Sequence, residues 1–206
     1  MTDAPLPDTR DQIARHCAAF VRITDAAPPL LKRAAVAITL IDDGDHIAML
    51  LTLRATSLRG HSGQWALPGG RCDPGETPID ASLRELHEEL GLRCDATGVL
   101  GLLDDYPTRS GYLITPVVVW AGAHVALTPN PDEVASVHRI PLDAIVRADA
   151  FDFVTIPESE RRVIRYRHND SHIHAPTAAL IYQFREVLGG RDTRVADLEQ
   201  PVFAWR

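Results

Sequence analysis

The strongest periodicity in the chain lies at residues 78–90, PIDASLRELHEEL, where Ile79, Leu83, Leu86 and Leu90 recur at helical spacing. At 100° per residue they project within an arc of about 60°, an apolar stripe that must face a core. Thr77 suits the N-cap, Pro78 the first helical position, Asp80 a capping box and Gly91 the stop. Ala178–Leu188 shows similar spacing and ends at Gly189-Gly190. A shorter helix is expected after Thr9, with Ile13, Cys17 and Phe20 or Val21 inward, stopped by Pro28-Pro29. Ala34–Ile41 and Ile47–Leu53 read as strands joined through the turn Asp42-Asp43-Gly44-Asp45. Further strands are expected at Val99–Leu103, Tyr112–Trp120, Val134–Ile140 and Arg161–Arg167, with a helical turn at Pro141–Val146. Residues 54–77 are rich in Gly, Arg and Pro and read mostly as loop; residues 1–8 read as loose. Strand hairpins interleaved with helices predict an α+β chain, an α/β/α sandwich with a mixed β-sheet between helices.

The chain has 206 residues, 45% hydrophobic and 24% charged. These values exclude disordered, collagenous and coiled-coil classes and suit one domain with extensions. Residues 33–188 carry the patterned elements, 1–32 form an N-terminal extension with a helix, and 189–206 read as a weakly patterned tail. Twenty-one basic residues against 28 acidic ones leave a net charge of −7, which speaks against nucleic acid as a partner. The longest apolar runs, Ala34–Ile41 and Val117–Ala123, are too short to span a bilayer, so no membrane partner is expected. The N-terminus has no signal-peptide pattern. Cys17, Cys72 and Cys94 are odd in number and never spaced C-x-x-C, which argues against a disulfide framework or zinc ribbon. Reduced thiols and a cytoplasmic location follow as the expectation.

On the helix at 78–90, Glu85, Glu88 and Glu89 fall within a second arc of about 100°, nearly opposite the leucine stripe. A solvated acidic face is one reading. Carboxylates at i, i+3 and i+4 repel one another, however, and a divalent cation would offset that cost. Mg²⁺ favours carboxylate oxygens combined with substrate phosphates. The preceding Gly69-Gly70 pair allows close backbone approach, so an anion and a metal could meet there.

Gly70, Glu76, Arg84, Glu85, Leu86, Glu88, Glu89, Gly91 and Leu92 resemble the Nudix box, GX5EX7REUXEEXGU, at every defined position. The resemblance implies the Nudix fold over roughly residues 33–188. It also implies a hydrolase that cleaves a nucleoside diphosphate linked to another moiety, dependent on Mg²⁺ or Mn²⁺. Carried onto this chain, it makes Glu88 and Glu89 the principal metal ligands and Glu85 a further ligand or the base. Gly70 would offer its carbonyl to the metal, and Glu76 and Arg84 would pair to tie the loop to the helix.

The stretch Leu50–Gly70 resembles the signature of coenzyme A diphosphatases through Leu50, Leu51, Thr52, Arg54, Ala55, Arg59, Gly63, Pro68, Gly69 and Gly70. Leu67 stands where that signature has an aromatic, and Glu76 keeps the general form of the box. Arg54 and Arg59 would then clamp the phosphates, or else serve as surface or ion-paired residues. Coenzyme A or an acyl derivative is the first substrate this implies. ADP-ribose, a dinucleotide or a nucleoside triphosphate is the alternative. A nucleotide-sensing domain without turnover is a second alternative, against which the intact Arg-Glu and Glu-Glu pairs speak.

Glu133 is a candidate distal acid or base, or a structural carboxylate. His168, His172 and His174 form a local cluster open to a metal or to a plain strand-end role. Trp65 and Tyr112 are candidates to stack on an adenine or to pack in the core. The partner expected is a small nucleotide, and the resemblance allows a homodimer.

Overall fold

The computed structural model describes residues 6–24, 31–56 and 63–204. The expectations for Arg59, for Pro28-Pro29 as a helix stop and for residues 1–5 as loose lie outside the described residues. The apolar run around Ala34–Ile41 forms β1 (Lys32–Asp42), which turns through Gly44 into β2 (Ile47–Arg54). β1 also pairs in parallel with β7 (Tyr112–Ala123), from Lys32↔Tyr112 to Asp42↔Ala123. Antiparallel partners complete a mixed sheet: β3 (Trp65–Ala66) and β8 (Val134–Pro141) on β2, and β5 (Val99–Leu102) and β6 (Tyr106–Pro107) on β7. The expected helical turn at Pro141–Val146 is α3 (Leu142–Val146).

Alternation along the central strands explains why the sheet is covered on both faces. Ala37, Ile41, Ala48, Leu50, Val117 and Val119 point to one side, against Leu86 and Leu90 of α2 (Pro78–Leu90). Ile38, Leu40, Met49, Leu51 and Val118 point to the other, against α1 (Arg10–Ala19) and α4 (Thr177–Leu188). The expected mixed sheet between helices is therefore present. Ile13 and Cys17 of α1 face inward, and of the two residues that follow the helix Phe20 is 8% exposed whereas Val21 is 69% exposed.

The expected loop at 54–77 contains two short strands, β3 and β4 (Gly69–Arg71). β1 divides one edge between two partners: Leu40–Asp42 pair with β2, and Ala34–Val36 pair with β4. The strand at Arg161–Arg167 is the middle of a separate antiparallel sheet, with order β11 (Ser171–His174), β10 (Ser159–His168), β9 (Phe151–Ile156). The weakly patterned end is docked rather than loose. Val195, Leu198, Glu199 and Gln200 are buried, and Glu199 bridges in parallel to Val163.

Candidate active site

Sheet pairing delivers the glycines to the acidic helix. β4 carries Gly69 and Gly70 against Val36 and Ala35, and the Ala37 N–H donates to the Pro68 carbonyl at 2.8 Å. The loop then rises to Thr77, whose side chain accepts from the Asp80 N–H while Asp80 accepts from the Thr77 N–H, closing the capping box expected there. Gly91 ends the helix in the left-handed region, φ 66°.

Arg84 is the hub of the box. Its Nε and Nη2 donate to the two oxygens of Glu76 at 2.9 and 3.1 Å, and Nη2 also donates to the Arg71 carbonyl at 3.0 Å. Its Nη1 reaches Glu85 and Glu88, each at 2.9 Å. Glu76 further accepts from the Asp73 N–H at 2.8 Å. The Arg84 hydrogen bonds hold the Glu76 carboxyl below its usual range and push the Arg84 pKa up. The loop is thus tied to the helix by the pair Glu76 and Arg84.

The acidic arc is not a solvated face. Only Glu88 has a side chain half exposed, at 50%; Glu85 is at 14% and Glu89 at 5%. Glu89 turns under the loop, where the Gly69 N–H faces it, and lies 4.0 Å from Arg54 Nη1. Burial pushes its pKa up to about 8; Arg54 opposes this, and Glu85 and Glu133 add to it. Burial raises Glu85 as well, against the pull of Arg84 and with a further push from Glu88 and Glu133. Glu133, distant in sequence, is therefore an electrostatic neighbour of both.

Asn130 places Glu133 there, and nothing in the chain's periodicity marks it. The Asn130 N–H donates to the Glu89 carbonyl at 2.9 Å, and its Nδ2 donates to Glu133 Oε1 at 3.1 Å. Its side-chain oxygen accepts from the Asp132 N–H at 3.1 Å, an Asx turn. The Asn-Pro-Asp sequence signals a turn, but only the fold shows what the turn is anchored to.

Among the described residues no three His, Cys, Asp or Glu side chains already converge at metal-binding distances. The donor chemistry nevertheless fits a hard cation. Part-buried Glu85 and buried Glu89 are oxygen donors whose charge burial disfavours, and Glu88 lies one helical turn from Arg84 at the same edge. A Cβ at Gly70 would overlap the Glu85 carboxylate, so that position must stay open. Arg54 Nε is buried with no hydrogen-bond partner among the described residues, and an incoming phosphate oxygen would satisfy it.

A cleft of about 540 Å³ adjoins this centre, sharing with it Arg54, Gly69, Gly70 and Arg71 among its lining. Trp65 and Tyr112 both line it, and Arg71 lies over the Tyr112 ring at 5.2 Å. The three histidines do not act together. His172 and His174 line the cleft, while His168 packs edge-on to Trp65 at 4.9 Å and 5.8 Å from His138.

Residues 31–158 match the family model of the NUDIX domain. An uncharacterized Nudix hydrolase NudL of Photorhabdus laumondii is 34% identical over 141 residues, 67% of this chain and 75% of that protein. Another, of Pectobacterium atrosepticum, is 36% identical over 139 residues, 66% of this chain and 72% of that protein. Among solved structures, a MutT protein from Methanosarcina mazei Go1 aligns with a TM-score of 0.45 and 23% identity, over 56% of this chain and 82% of that one. No helix among the described residues is long and apolar enough to cross a membrane.

Proposed function

The chain belongs to the Nudix hydrolase family, enzymes acting on pyrophosphate bonds, and from that premise we propose that its substrate is coenzyme A or an acyl derivative. Water adds across the diphosphate, giving adenosine 3′,5′-bisphosphate and 4′-phosphopantetheine (or its acyl form). The observation that carries the reading is the buried Nε of Arg54, without a hydrogen-bond partner among the described residues and set beside the carboxylates where the coenzyme A signature and the box meet.

Glu88 and Glu89, with Glu85 and the Gly70 carbonyl, would hold Mg²⁺ or Mn²⁺. That ion supplies charge neutralisation at the phosphates and makes a water more acidic. The chain's own groups do the rest. Arg54, with Arg59, holds the phosphates and draws negative charge off the bridging oxygen in the transition state. The carboxylate of Glu85 or Glu133 takes the proton of the attacking water. Arg84 keeps Glu85 and Glu88 aimed at the loop by holding both on one nitrogen.

The test is a panel of coenzyme A, acetyl-coenzyme A, ADP-ribose, a dinucleoside polyphosphate and nucleoside triphosphates, each with Mg²⁺ and with Mn²⁺, products separated by chromatography. Coenzyme A or its acyl form is expected to give the highest kcat/KM, and chelation to abolish turnover. Faster cleavage of another member of the panel would move the substrate. Binding without any turnover would favour the nucleotide-sensing reading.

A further inference from the structure

The cleft has two walls of different origin. One belongs to the matched domain: Val36, Trp65, Arg71 and Tyr112. The other comes from residues beyond the match, with His172, His174, Gln200 and Phe203 among its lining. The chain carries 28 acidic residues, yet no Asp or Glu is among the described residues that line this cleft. Its polar groups are hydroxyls, amides, imidazoles and two arginines, and five of its lining residues carry aromatic rings.

Phe203 is the informative one. It is 57% exposed, an arrangement with no folding benefit, and its ring meets His174 edge to face at 5.2 Å. Yet the segment that presents it is firmly anchored. Glu199, 2% exposed, accepts from Arg109 at 2.6 and 3.2 Å and from Ser159 at 2.8 Å. The Gln200 side chain accepts from the Arg109 N–H at 2.7 Å, and Tyr106 donates to the Leu198 carbonyl at 2.7 Å. A fixed strap that ends in an exposed ring at the rim of a ring-lined cleft is an unfinished stack. Burial lowers the His174 pKa, which favours the neutral imidazole.

We propose that β11 and the C-terminal turn form a base-binding wall, His174 and Phe203 holding the flat purine ring of the substrate while its diphosphate lies at the acidic helix. This rests on the hydrolase reading, and its test is separable from it. The probe is AMP, titrated calorimetrically in buffer free of divalent cations, with ribose 5-phosphate and 4′-phosphopantetheine as base-free controls. Phe203→Ala and His174→Ala are each expected to weaken AMP binding about 5- to 100-fold, as loss of a stacking partner does. The controls should not move, and Phe203→Trp should restore AMP binding. In turnover the loss should fall on KM more than on kcat.

Wild-type protein that binds no AMP would overturn the proposal. So would variants that bind AMP as wild type does, a loss shared by ribose 5-phosphate, or one confined to 4′-phosphopantetheine. Turnover with AMP affinity unmoved in the variants would overturn the base site alone. Base-dependent binding without turnover would overturn the hydrolase reading alone.

Discussion

Glu89 is a carboxylate kept where water would normally be required to support its charge. One arginine at 4.0 Å and one backbone N–H face it, while Glu85 and Glu133 oppose it. Removing the charge should therefore cost function and not fold. Glu89→Gln is expected to lower kcat at least 100-fold with Mg²⁺ present while its melting temperature stays within a few degrees of wild type. A parallel fall in both would show that the charge serves packing. Gly69 and Gly70 separate the same two quantities. A Cβ at Gly70 would first meet the carboxylate end of the Glu85 side chain, whereas one at Gly69 meets the Ala35 carbonyl and the Val36 backbone. Gly70→Ala should thus lose activity with a near-normal melt, and Gly69→Ala should lose stability first. The reverse order would remove Glu85 from the centre.

At the scale of elements, the C-terminal strap depends on one buried acid. Hydrogen bonds from Arg109 lower the Glu199 pKa to about 2 from a usual 4.5, Ser159 and the Gln200 N–H helping against burial. A pKa depressed on folding stabilises above the unfolded value and is lost as pH falls through the folded one. Wild type should therefore exceed Glu199→Gln by on the order of 2 kcal/mol at neutral pH, allowing for a half-exposed Arg109. The gap should close between pH 5 and 2 in melts of the two proteins; a gap unchanged with pH would assign the stabilisation elsewhere.

This strap also shows what could be read along the chain and what could not. Helix α2 was legible to its ends because cap, proline, leucine stripe and terminal glycine are all local. β1, β2 and β7 were legible because each is a long apolar run, and β8 because Val134, Val137 and Ile140 lie between a turn and a proline. β3 and β4 have two and three residues and exist only through pairing with β2 and β1. β11 reads Ser-His-Ile-His and is held by β10. The burial of Glu199 depends on Arg109, far away in sequence, so no window of the chain could reveal it. Of the site, the box carboxylates, Arg54 and the pair Glu76 and Arg84 were visible as a pattern; His174 was visible only as one of a local histidine cluster, and Asn130 and Phe203 were not.

For the whole molecule, stability and cation binding should be linked. If the folded site binds Mg²⁺ and the unfolded chain does not, Mg²⁺ at 100 times its Kd adds about 2.7 kcal/mol. Wild-type melting should rise with Mg²⁺, and Glu89→Gln should show little of that rise. Equal shifts in both would place the ion at another site. The parallel pairing of β1 with β7 has a consequence of another kind. The acidic helix and its glycine loop lie in sequence between these two strands, and the sheet that seats them needs both. During synthesis the whole box leaves the ribosome before Tyr112–Ala123 do. Until that later strand closes the long loop, Leu86 and Leu90 lack Val117 and Val119 to pack against. A nascent chain halted before β7 would carry every residue of the motif on a helix whose sheet is still incomplete.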